Sequence, residues 1–402
     1  MGADGNFRER LAGITASETK RVGDEKVEAR FLNGIKPMLP PVPAVPDIVP
    51  RLADLLDEIE CQILKFVKLP KRELAMLVAL WLAETYTFEH FRYCGYLALR
   101  SATPRCGKTL LMRLLSQLAN GSPSITSIPT PAVLFRSTRP VLLLDEVDKL
   151  RNADKEKYGE VLAVLNCGFE AGAVIDRCNK KTFEVESHRV YGPKVVAGIE
   201  GIADTLADRS FQIQMERSIQ RMPRLNLRKM DELFIQLRAG LQGWAGQYGG
   251  QIAETYDDLP DQLDSLEDFD DRFQDIAEPL IVLAALADSE RPDGPAILPR
   301  LMNGLQAAAK RREPSGRERE LLAFLEIVGP LLNGEEEVFL SSSTILDLCK
   351  DREELSRIET GRALAGFLKH FDVFPKSHSG KSRGYAIRQE WLSVWGARYG
   401  RQ

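Results

Sequence analysis

Hydrophobic positions recur at three- and four-residue steps just past Asp47, at Leu52, Leu55, Leu56, Ile59 and Ile63, and this spacing predicts an amphipathic helix that stops before Leu69-Pro70. The following run, residues 72–84, is apolar on nearly every side and predicts a buried helix. Past Tyr93 the pattern shortens. Residues 96–100, 141–144 and 194–197 read as apolar strands, with helical stretches at 109–118 and 157–171 between them. Strands alternating with helices up to about Arg217 predict an α/β core on a mainly parallel sheet. Residues 225–310 return to a helical period. The last part reads as helix 343–349, helix 360–371 and a hairpin over 373–387 turning at Ser379-Gly380-Lys381, the order of a winged helix.

These elements divide the chain into a disordered tail and proline-rich linker (1–46), an N-terminal helical subdomain (47–92), the α/β core (93–224), a helical lid (225–312) and, after a charged connector, a winged-helix domain (320–402). The tail leads into Pro37, Pro40, Pro41, Pro43, Pro46 and Pro50, a density that favours extended polyproline geometry. Residues 239–271 hold nine acidic and no basic side chains and are expected to face solvent.

Composition narrows the function classes. With 402 residues, 44% of them hydrophobic and 28% charged, the chain is an ordinary globular one with room for two or three cores. A net charge of −4 excludes attraction of the whole molecule to nucleic acid and leaves such binding to a local patch. The six cysteines are widely spaced without a C-x-x-C pair, and His90, His188, His370 and His378 are scattered, so neither disulfides nor structural zinc nor histidine chemistry is expected. The polar N-terminus gives no leader or lipid anchor, and the apolar runs 74–83 and 277–287 fall short of the roughly 20 residues that span a bilayer. A cytoplasmic protein without a membrane span is the expectation.

The candidate chemistry begins where strand 96–100 runs into Ser101-Ala102-Thr103-Pro104-Arg105-Cys106-Gly107-Lys108-Thr109 and then an apolar helix. Phosphate binding at a helix start needs backbone N–H groups aimed into one concavity, a lysine for the β and γ oxygens and a hydroxyl for magnesium. Gly107, Lys108 and Thr109 supply these parts, and Ala102, Thr103, Pro104, Arg105 and Cys106 make the rest of the loop. Ala102 stands where such loops carry their first glycine and tolerates fewer backbone angles. The later strand ends in Asp145-Glu146, where Asp145 is placed to hold Mg2+ and Glu146 to polarise an attacking water. A chance G-K-T and a core strand ending in solvated acids are the bland alternatives. The two motifs in this order favour an ATP site.

Arg209 follows the third strand and suits an arginine finger reaching the γ-phosphate held by a neighbouring copy, which demands a homo-oligomer. A surface arginine paired with Asp204 or Asp208 is the alternative. Arg272 is a candidate second phosphate sensor, against a salt bridge to Asp268 or Asp271. Residues 173–186 read as a β-hairpin with a basic tip at Asn179-Lys180-Lys181, suited to a nucleic-acid backbone in a ring pore or simply a solvated turn. Residues 362–402 hold eight basic side chains against Asp372 and Glu390, with Lys376, Lys381 and Arg383 on the wing, the electrostatic footprint of a DNA contact or else of a basic protein-binding module.

With these residues in hand, residues 50–399 resemble an AAA+-like P-loop ATPase family of unknown function found in actinobacterial and mobile-element proteins. The resemblance rests on the helix 75–87, on 101–109, on Leu143-Leu144-Asp145-Glu146-Val147-Asp148, on 198–209, on Asp271-Arg272-Phe273 and on 381–385. More distantly the chain is similar to minichromosome-maintenance and viral hexameric helicases, which also carry a hairpin before the third motif strand. The resemblance implies a three-layer α/β core with helical lid, ATP and Mg2+, a ring of copies, and a DNA helicase or remodelling motor in replication or mobile-element maintenance. It also implies Arg209 as the finger and Arg272 as a sensor. Where the family carries a polar sensor at the end of the third strand, this chain has Val196-Ala197-Gly198-Ile199. Together with Ala102, that departure keeps open a slow ATPase, a regulatory nucleotide switch whose tail binds protein, or a non-hydrolysing nucleotide binder.

Overall fold

The computed structural model describes residues 48–101, 105–127, 130–135, 137, 139–178, 183–198, 203–218, 221–259, 266, 269–309, 316–369, 371, 373–378 and 382–399. The expected tail at 1–46, the loop residues Ala102, Thr103 and Pro104, the hairpin tip Lys180 and Lys181 and the wing residue Lys381 lie outside these. The chain forms two compact units, 1–312 and 313–402.

The first unit opens with α1 (Leu52–Phe66), α2 (Leu74–Glu84), β1 (Tyr96–Arg100), α3 (Lys108–Leu118), β2 (Ile125–Ser127) and α4 (Pro131–Phe135). It continues with β3 (Leu142–Asp145), α5 (Val147–Ala153), α6 (Lys155–Cys167), β4 (Val174–Cys178), β5 (Val185–Arg189) and β6 (Lys194–Gly198). It closes with α7 (Asp204–Ala207), β7 (Ser210–Gln214), α8 (Leu227–Asp257), α9 (Asp271–Glu290) and α10 (Leu298–Ala309).

Five strands pair in the order β2-β3-β6-β1-β7, every pair parallel, with Leu97 opposite Val195 on one side and Phe211 on the other. Parallel sheets need both faces covered, and the two central strands are accordingly buried along almost their whole length. Because β6 lies between β1 and β3, the carboxyl ends of all three meet at one edge. The three expected strands are β1, β3 and β6, each within one residue of its predicted bounds. β2 and β7 extend the sheet on either side.

The helices before and after the sheet close on one another. Every residue of α2 is buried, and it packs against α1, α9 and α10. The Glu290 carboxylate accepts from the Leu52 amide (2.7 Å) and the Trp244 indole (2.6 Å), joining α1, α8 and α9. Arg291 and Arg300 both donate to Asp57, at 2.5 and 2.6 Å. The apolar residues of these helices and of the sheet form one contiguous core. Of the acidic stretch, Glu254, Asp257, Asp258 and Asp271 are exposed, while Asp270 is half-buried and caps α9 by accepting from the Phe273 amide at 3.0 Å.

Lys194 and Glu84 are among the buried ionisable groups near the other edge of the sheet, with Cys94 beside them. The Lys194 ammonium donates to the carbonyls of Val190 (2.8 Å), Gly192 (2.8 Å) and Gly168 (3.1 Å) and lies 4.9 Å from the Tyr96 ring centre. Burial pushes it down to about 7. Glu84 ends α2 fully buried, and burial holds its carboxyl well above the usual range.

β4 and β5 form the expected hairpin, with Val174 opposite Arg189. Its inner face rests on α4 and α6 through His188 and Arg177 against Phe135 and through Arg177 with Glu160 (3.1 Å). Among the described residues no helix is long and apolar enough to cross a membrane. No disulfide joins the six cysteines.

The second unit holds α11 (Gly316–Val328), β8 (Glu337–Ser341), α12 (Ser342–Cys349), α13 (Gly361–Lys369), β9 (Lys376–His378), β10 (Ser382–Arg388) and α14 (Gln389–Tyr399). Its antiparallel sheet runs β8-β10-β9, and its core gathers Phe324, Ile345, Leu364, Leu368 and Tyr385. The helix, helix and hairpin expected here are α12, α13 and β9–β10. β8 adds a third strand, and its last residue, Ser341, caps α12 by accepting from the Thr344 amide at 3.1 Å.

Candidate functional site

β1 delivers the chain to the shared carboxyl edge, and the turn into α3 is made at Gly107, whose φ of +87° is left-handed. A side chain there costs about 1–2 kcal/mol, so glycine is the residue that fits. Arg105 is also left-handed, at φ +65°. Two such reversals within three residues fold the backbone back on itself ahead of the helix. Lys108 and Thr109, the first residues of α3, present amides that have no partner within the helix, at its positive end.

The second contribution comes from β3. Asp145 ends it, and its carboxylate accepts from the Glu146 amide at 2.9 Å. Glu146 is again left-handed, at φ +57°, which for a side-chain-bearing residue is a strained turn of the sort concentrated at working sites. That turn throws α5 back so that Lys149 pairs with the Glu146 carboxylate.

These pieces line one cavity of about 280 Å3. Residues 105–110 form one wall, Asp145, Glu146 and Lys149 another, and Gly198 at the end of β6 closes the gap between them. The volume is at the lower end for small-molecule sites. The Lys108 ammonium donates to the buried Ser101 hydroxyl at the loop's start. Thr109 and Asp145 offer hard oxygen donors fitting Mg2+, which takes few protein ligands and completes its shell with water and phosphate. Among the described residues no group of three or more acidic, histidine or cysteine side chains could hold a metal by itself.

Arg209 and Arg272 are placed elsewhere. The Arg209 carbonyl accepts from the amide of Tyr96 (3.0 Å), the first residue of β1, whereas the phosphate loop follows its last. Five residues of strand separate the two ends by about 13 Å. The Arg209 guanidinium lies 4.7 Å from the Phe169 ring centre, with Arg272 at 5.8 Å over the same ring. Arg209 also donates to the Thr205 carbonyl, and its Nε is buried with no acceptor among the described residues. Burial, then the neighbouring Arg272 charge, lowers its pKa. Arg272, expected as a sensor of the bound nucleotide, therefore stands away from its own chain's cavity, because α9 packs its start against the opposite edge of the sheet.

Of the nucleic-acid candidates, Lys376 and Arg383 are exposed on the paired strands β9 and β10. Arg362 and Lys369 are exposed on α13, and Arg388 is held by Glu337 at 2.9 Å. Sequence reasoning gave Ser101 and Gly198 no role beyond their places in the loop and at the end of the third strand, and it missed Lys149. Lys149 had a legible signal, three residues past Glu146 at a helix start. Gly198 was read only as part of the apolar end of the third strand, and the sheet order sets it between the two motifs.

No family model matches the chain, and no curated protein matches it. Among solved structures it is similar to Cch, titled an active helicase of SCCmec type IV, at 10% identity and TM-score 0.44 over 85% of this chain and 71% of that one. It is also similar to the C-terminal region of NrS-1 in its A form apo structure, at 13% identity and TM-score 0.37 over 88% of this chain and 79% of that one. A second structure of that region, residues 305–718, gives 11% identity and TM-score 0.38 over 96% of this chain and 90% of that one.

Proposed function

We propose that the chain is an AAA+-like P-loop ATPase that binds ATP with Mg2+ in the 280 Å3 cavity and hydrolyses it. The observation that carries this reading is the convergence there of Lys108 and Thr109, behind left-handed Gly107, with Asp145 and Glu146. Phosphoryl transfer asks little covalent chemistry of a protein and much positioning and charge. Lys108 exchanges its Ser101 partner for phosphate oxygens, the loop amides hold the remaining phosphates, and Glu146 orients the attacking water. Thr109 and Asp145 hold the Mg2+, whose contribution is to neutralise phosphate charge.

Arg209 belongs in this reading only between copies, since it lies at the far end of β1 from its own loop. One copy's Arg209, with Arg272 beside it, completes the site of the next, which makes the working form a homo-oligomer. We assign DNA as the partner of residues 313–402, read as a winged helix, through Arg362, Lys369, Lys376 and Arg383. The activity is then a DNA helicase or remodelling motor. Lys180, Lys181 and Lys381 join that assignment as sequence candidates.

The test is steady-state ATP hydrolysis by wild type, Lys108→Ala and Glu146→Gln, with and without single- and double-stranded DNA, at two protein concentrations. Turnover that depends on both residues and rises with DNA and concentration supports the motor. Equal inertness of all three sinks the ATPase. A second reading, a nucleotide switch with slow turnover, is favoured by Gly198, which brings no polar side chain to the end of β6. Tight ATP binding with negligible turnover, and DNA binding indifferent to deletion of residues 362–402, would select it.

A further inference from the structure

Lys149 lines the cavity, yet stability explains neither its place nor its partner. It occupies the first turn of α5, where a cation opposes the helix dipole. Its pair with Glu146, three residues back, is half-exposed, a type that contributes little to folding. The Lys149 amide also donates to the Glu146 carbonyl at 3.1 Å, so backbone and side chain together bring the ammonium onto the one carboxylate assigned to the attacking water. A carboxylate oxygen engaged by an ammonium, here Glu146 Oε1, is a poorer acceptor for water.

We propose that Lys149 registers the terminal phosphate of ATP: its ammonium passes from Glu146 to the γ-phosphate, and Glu146 is thereby released to orient water. This rests on the ATP reading above and adds to it a device that distinguishes ATP from ADP. The placement follows from the site's two walls. The loop amides hold the inner phosphates and Lys108 reaches the β and γ oxygens from the loop side, whereas Glu146 must stand beside the face of the phosphoryl group that water attacks, and Lys149 stands beside Glu146. A terminal phosphate carries up to two charges against the single one of a carboxylate, and attraction scales with charge. A diphosphate on the same loop ends one phosphoryl group short and leaves the Lys149–Glu146 pair in place.

The experiment titrates the full chain with the β,γ-imido analogue of ATP and with ADP, both with Mg2+, by calorimetry. It uses wild type, Lys149→Gln, Lys149→Arg and Lys108→Ala, with a urea unfolding curve for each. The expected result for Lys149→Gln is an analogue affinity about 10-fold weaker, equivalent to about 1.4 kcal/mol, with ADP affinity changed less than about twofold. Lys149→Arg keeps the charge and restores most of the analogue affinity, and the urea midpoint stays at the wild-type value. Equal weakening for both nucleotides, no weakening for either, or a lowered urea midpoint overturns the inference. If wild type binds both nucleotides and Lys108→Ala neither, such a result leaves the ATP site standing and removes Lys149's role alone. A wild type that binds neither nucleotide removes both.

Discussion

Lys194 offers the sharpest test of the packing beneath the site. Only 2% of it is exposed, and its three ammonium hydrogens all go to backbone carbonyls, at Val190, Gly192 and Gly168. The cage is tight, since a methyl group on Gly168 would lie 2.7 Å from the Lys194 nitrogen and 2.3 Å from the Val190 carbonyl oxygen. Lys194→Met keeps the length of the stem and strips the three carbonyls of their donors. At about 1 kcal/mol for each orphaned carbonyl, the cage itself is worth about 3 kcal/mol, offset near pH 7 by the cost of burying a group that is charged in the unfolded chain. Its pH dependence has a definite sign. The folded ammonium is pushed down to about 7, below its unfolded value near 10.4, so between these limits the unfolded chain binds more protons and wild-type stability rises with pH. The variant lacks that rise, and its deficit grows from pH 7 to pH 9. Urea unfolding at the two pH values reads both effects. A difference between variant and wild type that does not change with pH would refute the assignment of Lys194 as a buried, carbonyl-caged amine with a lowered pKa.

Three further outcomes are expected. Glu84→Gln should raise the melting temperature at pH 7.5, because burial penalises the charged carboxylate more than its contacts with the Cys94 thiol and the Gly95 amide favour it. The raised folded pKa means wild-type stability falls as pH climbs above the unfolded value near 4.3, so the advantage of Gln should vanish at pH 4, and thermal melts at both values check it. Gly107→Ala forces a left-handed alanine at a cost of about 1–2 kcal/mol, and should weaken nucleotide binding in a calorimetric titration while shifting the melting curve only slightly. Arg209→Ala should leave nucleotide affinity within about twofold of wild type and cut turnover by about 10³-fold or more, the scale of a lost arginine finger, in a steady-state assay.

The parts of this molecule that chain proximity dictates were legible in its residues. The loop at 101–109 and the acids at 145 and 146 each follow a strand directly, so the sequence names both halves of the cavity and only the sheet order is needed to join them. α2 announced itself because eleven residues with no polar face can only be interior. β2 did not, since three residues are too few to show a period. β8 gains its identity from pairing with β10, some forty residues later. The spacing that makes Arg272 look like a partner of Asp271 says nothing of Phe169, the ring that gathers Arg272 and Arg209 from segments far apart in the chain. Lys149 lay within reach of the same reasoning, three residues past Glu146, but the left-handed turn at Glu146 that brings it to the cavity is not written in the spacing.

The separation of Arg209 from the phosphate loop by the length of β1 has an arithmetic consequence for any working assembly. If each copy lends its guanidinium pair in one direction and receives its neighbour's in the other, an open row always holds one fewer completed site than it has members. A dimer would own one. Only closure makes the two numbers equal, so turnover per chain should climb with assembly size and level off where the row meets its own beginning. Two inactive variants, one lacking Lys108 and the other lacking Arg209, would then regain activity on mixing, because every junction facing the right way joins an intact loop to an intact guanidinium.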